Sequence, residues 1–475
     1  MNRPRHRRVR SLALTAAVIL FSGAAALLTG APSPAAAATA PSAHPPAWLH
    51  CVPGPPGSGA QRCSGIRRIP LSGLSAADRS RRRSALTHRT TQQASGQATA
   101  GEILAPSQCM FPAPPLPGNV VPHPDRLTSC GDTAFTLYNI EYSDDGETIL
   151  GTFDFEDFQW VSFTGTDSTW THGMITLSYT GTGDLTDGFS AQINSECWLA
   201  EGACSAVSET SPDPQTIAVT DDNSYSFEWQ ENDEGPAATS PGSDDFLEGY
   251  LAVNWEATTP DGGFAEAIDG GGLAGRCDSI ATGSDGCVDE DNIPTLYLSQ
   301  ATYGASAAMI AWAQQNLSGH WGLQGQGSPM TYLGNQALAG DNREIICQDG
   351  SFSSDAGLTA ALAPYGDTDS CDEFPFAASY DSGAMEDDAY GNPKPYVTTG
   401  ANCAQVTATQ TGSSGGNEAA DWNAITVTGS PSGSEPCVRG HIPGTLNSLV
   451  GGRYGNFVQT ERLLDEDQFW VAVTS

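Results

Sequence analysis

The chain has 475 residues, room for two or three domains after processing. Of its 20 Lys and Arg, 13 precede residue 90. From Ser129 onward, 52 acids face six cations (Arg276, Arg343, Lys394, Arg439, Arg453 and Arg462), a net charge near −46. Such a surface repels phosphate backbones unless a cation intervenes, so it speaks against a stable nucleic-acid-binding module and fits solubility in salt or divalent-cation binding. The many Gly, Ser, Thr and Asp favour strands and loops over long helices.

Met1 to about residue 40 reads as an export signal. Arg3, Arg5, Arg7, Arg8 and Arg10 form a basic start, Leu12 to Leu28 an apolar run, and Ala35 to Ala40 a stretch of small residues for cleavage. No later apolar run is long enough to span a bilayer. The 12 cysteines agree with export, because an even count in an exported chain implies disulfides. Sequential pairing gives 51–63, 109–130, 197–204 and 277–287, then two bonds among 347, 371, 403 and 437. None of the spacings is that of a zinc site. The expectation is a secreted, extracellular protein with no membrane contact and no stable protein partner.

Residues 41–127 are Pro-rich, carry a basic run from Arg79 to Arg83, and turn Ser/Thr/Gln-rich from Thr87 to Ala100. This is the composition of a linker or propeptide, with a small disulfide loop. The alternative is a basic arm that attaches the acidic body to a polyanion. Residues 128–300 predict an all-β, sandwich-like accessory domain. The segments 134–142, 149–158, 174–179, 224–229 and 251–255 are strand-like, and Gly/Asp turns such as Ser143-Asp-Asp-Gly punctuate them. Asp285-Gly-Cys-Val-Asp-Glu-Asp-Asn could cradle calcium but lacks the EF-hand spacing, which favours a solvated acidic loop.

Residues 301–475 predict an α+β domain. Helices are expected over Tyr303–Asn316 and Asn335–Ile346, and strands over 396–399, 424–428 and the closing Phe469–Val473. The most informative stretch is Ser370-Cys-Asp-Glu-Phe-Pro-Phe-Ala377. Pro375 fixes its own φ and biases Phe374 toward extended geometry, and two aromatics would anchor the segment. Asp372 and Glu373, on opposite faces of an extended strand, would then stand at a rigid edge, one toward a cleft and one toward a neighbouring loop. A hydrolytic metal site needs a hard cation with oxygen ligands, a base beside the attacking water and a cation near the leaving group. Asp372 or Glu373 could be the base, the Asn447 amide oxygen a ligand, and Arg453 or Arg462 a phosphate contact. His441 is a reserve base.

Three elements in order resemble the secreted NucA/NucB-type deoxyribonucleases: Cys371-Asp-Glu-Phe-Pro-Phe-Ala, Asn447 followed nine residues later by Asn456 of Gly455-Asn456, and the ending Arg462-Leu-Leu-Asp-Glu-Asp-Gln-Phe-Trp-Val. The resemblance covers about residues 301–475. It implies a ββα-metal-like core around one divalent ion (Mg²⁺ or Mn²⁺, or Ca²⁺), with DNA as substrate. It also implies Asp372 as catalytic base and metal residue, Asn447 as metal ligand, Glu373 as a catalytic residue beside the site, and an accessory acid at Asp381. Asn456 and Glu461 are further candidates in the same segment. The chain departs from the family's pattern at Asp381-Ser382, at Leu446 and in the Asp465-Glu466-Asp467 turn. The expectation is a secreted metal-dependent endonuclease. The alternative is a non-catalytic exported binding protein that keeps a nuclease-like fold and binds calcium through its acidic surface.

Overall fold

A computed structural model describes residues 45–70, 109, 120–121, 125–199, 204–209, 215–218, 224–233, 247–412 and 418–475. The expected export signal lies outside these residues, as do the basic run at Arg79–Arg83 and the Ser/Thr/Gln-rich stretch. The described residues from Pro45 onward belong to one compact unit.

The first strands, in chain order, are β1 (His50–Pro53), β2 (Gln61–Ile69), β3 (Val120–Val121), β4 (Thr128–Ser143), β5 (Gly146–Phe163), β6 (Thr169–Gly183) and β7 (Phe189–Leu199). They continue with β8 (Cys204–Glu209), β9 (Gln215–Ile217), β10 (Ser224–Asp233), β11 (Leu247–Thr258), β12 (Phe264–Asp278) and β13 (Gly286–Val288). A curled sheet runs β1-β2-β4-β5-β6-β10-β8, with β3 paired to β4. A second sheet runs β13-β12-β11-β7-β9. All these pairings are antiparallel. The two sheets share a core in which Phe135, Phe153, Phe155 and Trp229 of the first meet Phe189 and Trp255 of the second. The region is all-β, as the alternation predicted, with its first sheet curled.

Two features depart from the expectation. Residues 50–69 are not linker: β2 pairs with β4 from Gln61↔Tyr142 to Ile69↔Ala134, and Cys51–Cys63 ties β1 to it. The outer face of the first sheet is also buried, with Phe158, Trp160, Ile175, Leu177 and Tyr179 in a second apolar cluster. A strand buried on both faces loses the clean apolar/polar alternation of a half-exposed one.

The C-terminal part holds β14 (Thr295–Ser299), α1 (Gln300–Asn316), β15 (Met330–Thr331), α2 (Gln336–Arg343), α3 (Ala356–Leu362), β16 (Asp369–Phe374), β17 (Ala404–Thr409), β18 (Ala424–Thr428), β19 (Val438–Pro443), α4 (Gly444–Thr460) and β20 (Gln468–Thr474). A four-stranded sheet runs β16-β19-β17-β18, and the closing strand β20 lies between β14 and β15. Met309, Ile310, Phe374, Val406, Phe457 and Phe469 meet in the core of this part. Both expected helices form, the second shorter and continued by a π-helical turn at Glu344–Gln348. Residues 396–399 are not a strand; Val397 instead packs against the Cys403–Cys437 disulfide.

Disulfides join 51–63, 109–130, 277–287, 347–371 and 403–437. The side chains of Cys197 and Cys204 lie outside the described set. The β-rich and α+β parts meet at a buried ionic joint. Asp467 accepts from Arg126 at 2.6 Å and Arg276 at 3.0 Å, while Asp278 accepts from Arg276 at 3.2 Å and Arg462 at 2.9 Å. The acidic loop expected to be solvated is instead buried in part and feeds this joint. Asp289 is buried there, its carboxylate turned onto the backbone N–H groups of Asp291 and Asn292.

Candidate active site

β16 is gripped on all sides. Its register with β19 pairs Cys371 with His441 and Asp372 with Gly440. Cys371 is bonded to Cys347 in the π-helical turn. Phe374 is fully buried and Phe376 nearly so, linked through a cis Phe374–Pro375 peptide. Phe376 stacks on Tyr454 of α4 at 4.6 Å, and the Tyr454 hydroxyl donates to the Ala378 carbonyl. The anchors foreseen for this segment are in place.

The strand sends its two acids to opposite faces, and both reach one small cavity of about 60 Å³. Asn447, Val450 and Tyr454 of α4 line the same cavity, and Arg343 at the end of α2 supplies its cation. Asp372 and Asn447 therefore converge, as a shared site requires. The Asn447 amide nitrogen donates to the Cys371 carbonyl at 2.7 Å and to the Ser370 hydroxyl at 2.9 Å. Those bonds fix the amide plane and leave Oδ1 as its free acceptor.

Asp372 is 7 % exposed and Glu373 6 %. Asp372 Oδ1 accepts the Glu373 backbone N–H at 3.0 Å, while Oδ2 is buried without a hydrogen-bond partner. Burial first, and then the neighbouring Glu373, push the Asp372 carboxyl up to about 7. Burial also raises Glu373, opposed by Arg343, whose Nε lies 3.4 Å from Oε1. Cys347 Sγ sits 3.3 Å from Glu373 Oε2. A disulfide sulfur carries no proton, so this is a packing contact. For the same reason the close group Cys347, Cys371 and Glu373 offers no thiolate pair to a soft metal.

The donors on the residues that line the cavity are hard oxygens: the Asp372 and Glu373 carboxylates and the Asn447 Oδ1. That set fits Mg²⁺, Mn²⁺ or Ca²⁺.

The other sequence candidates lie elsewhere. Arg462 is fully buried in the joint, donating to Asp278, the Gly165 carbonyl at 3.0 Å and the Ser284 carbonyl at 2.9 Å. It cannot reach a substrate phosphate. Glu461 is buried beside it and accepts the Arg126 backbone N–H at 2.8 Å. Arg453 is half-buried on α4 and Asn456 exposed there, and neither lines the cavity. Asp381 is turned onto the Thr331 backbone N–H at 2.8 Å. His441 pairs through Nδ1 with Asp369 Oδ2 at 2.8 Å and stacks on Phe352 at 4.4 Å, on the face of the strand opposite Asp372.

Sequence reasoning missed Arg343 as a site residue. Its signal was the position one turn before Cys347, whose disulfide delivers that turn to Cys371. A wider groove of about 750 Å³ adjoins the site through Ser370 and is lined by Asp367, Asp369, Thr445 and Ser448, with no cation among its lining residues. No family model, curated protein or solved structure matches the chain.

Proposed function

We propose that this protein is a metal-dependent phosphodiesterase acting on nucleic acid, an exported endonuclease of DNA in the manner of the NucA/NucB-type enzymes its C-terminal third resembles. The observation that carries this reading is the meeting of Asp372, Glu373, Asn447 and Arg343 at one cavity, with a buried Asp372 oxygen left unpartnered. β19 running straight into α4 beside β16 supports a ββα-metal-like core.

Asp372 and Asn447 would hold a divalent ion, which when bound supplies charge to stabilise the pentavalent phosphate and a polarised water. Asp372, which lines the same cavity, is placed to take a proton from that water. Glu373 keeps Arg343 at the rim, where the guanidinium meets the phosphate. The cavity has room for an ion with a few waters but not for a nucleotide. The scissile phosphate therefore enters at the rim and its bases stay outside.

Purified protein incubated with plasmid DNA and Mg²⁺ or Mn²⁺ is expected to nick it, and Asp372→Ala is expected not to. Absence of metal-dependent nicking, or equal nicking by the variant, refutes the proposal. The charge near −46 after Ser129 and the cation-free groove favour one other reading, a calcium-binding exported protein without catalysis. Calcium-dependent stability in a protein that leaves DNA intact would select it.

A further inference from the structure

Two polar atoms in the C-terminal part are buried without a hydrogen-bond partner on facing elements: Asp372 Oδ2 on β16 and Ser306 Oγ on α1. Ser306 is fully buried, seventeen-residue α1 being otherwise packed there with Ala305, Ala307, Met309 and Ile310. A hydroxyl in such surroundings is costly unless something answers it.

The register shows what Ser306 faces. Asp372 pairs with Gly440 across the β16–β19 ladder, so both residues project to the same side. A side chain on Gly440 would meet Met309 Sδ at 2.6 Å, which places α1 directly over that side. Ser306 precedes Met309 by three residues and shares its helix face. The backbone of α1 breaks from helical geometry at Gly304, where a Cβ would press on the Trp422 carbonyl at 2.5 Å. That close seat fixes the helix two residues before Ser306.

We infer that Ser306 is a positioning residue for the site, its hydroxyl orienting the free Asp372 oxygen toward the cation position, by a small rotation or through one bound water. The inference rests on the metal-site reading above. Removing an outer partner of a metal ligand typically weakens the metal about 10–100-fold.

The test is calorimetric titration of Mn²⁺ into the wild-type protein, Ser306→Ala, Asp372→Asn and the double variant, with melting temperatures for all four. Ser306→Ala is expected to weaken Mn²⁺ about 10–100-fold with little change in melting, and to add no further loss to Asp372→Asn. A variant that binds Mn²⁺ as tightly as wild type, or one whose loss is the same with and without the Asp372 carboxylate, overturns the positioning role while leaving the metal site standing. A wild-type protein that takes up no Mn²⁺ brings down the metal site and this inference with it.

Discussion

The protein buries charge in two places, and they are built on opposite plans. In the joint between the β-rich and α+β parts, Arg126, Arg276 and Arg462 meet Asp278 and Asp467, and backbone carbonyls answer most of the spare guanidinium N–H groups, Arg462 Nε excepted. At the cavity two adjacent carboxylates face a single guanidinium that is 61 % exposed, and one carboxylate oxygen has no partner. A matched buried network is what holds parts together. An unmatched one is held in place by the rest of the fold, and such groups cluster at functional sites.

The largest expected effect breaks the first plan. Arg462→Ala strips Asp278 of a buried partner, and losing one member of a buried pair costs about 3–5 kcal/mol. Denaturant titration should show that loss. Asp372→Asn attacks the second plan, and here the sign differs. Activity on plasmid should fall at least about 100-fold, the usual size of a lost general base, while stability holds or rises because a buried, unmatched acid has gone. Arg343→Ala should lower kcat/KM by about 10-fold or more and cost about 1–3 kcal/mol of stability, since the guanidinium is mostly exposed but its loss leaves the buried Glu373 without its cation.

Smaller effects sharpen the contrast. Glu461 at the joint is pushed up to about 7, by burial first, with Asp125 adding to it and Arg126 and Arg453 opposing. An acid raised in the folded state binds its proton more tightly there than when unfolded. Its contribution to stability is therefore full below about pH 4.5 and lost as pH rises toward 7. Glu461→Gln keeps the acceptor for the Arg126 N–H and should remove that loss, melting higher than wild type at pH 8 and alike at pH 4.5. The ceiling on the gain is about 3 kcal/mol. The smallest effect is on salt. A body with a net charge near −46 after Ser129 repels DNA at long range, so kcat/KM should hold or rise as ionic strength goes from about 20 to 200 mM. A nuclease that binds through a basic surface would lose affinity steeply over that range.

The local pattern carried much of this into view. Phe374 and Phe376 as anchors, the opposed acids of β16 and the closing strand could all be read from residue types and period two. What stayed hidden depends on contacts between distant segments. Nothing local distinguishes Arg462, locked against Asp278, from Arg343, which looks like a surface charge until the Cys347–Cys371 bond brings its turn to the strand. Asp381 and Glu461 read as candidate site acids, but each accepts a backbone N–H from another segment. The Pro-rich start of the chain concealed β1 and β2, because edge pairing onto β4 needs little local preference once a partner strand is there.

The most direct measurement is a crystal soaked in Mn²⁺ and measured at the manganese absorption edge. An anomalous peak within about 2–2.6 Å of both Asp372 Oδ2 and Asn447 Oδ1 is the expected result. Anomalous peaks confined to surface acids, with none in the cavity between β16 and α4, would contradict the assignment of that cavity as a metal centre.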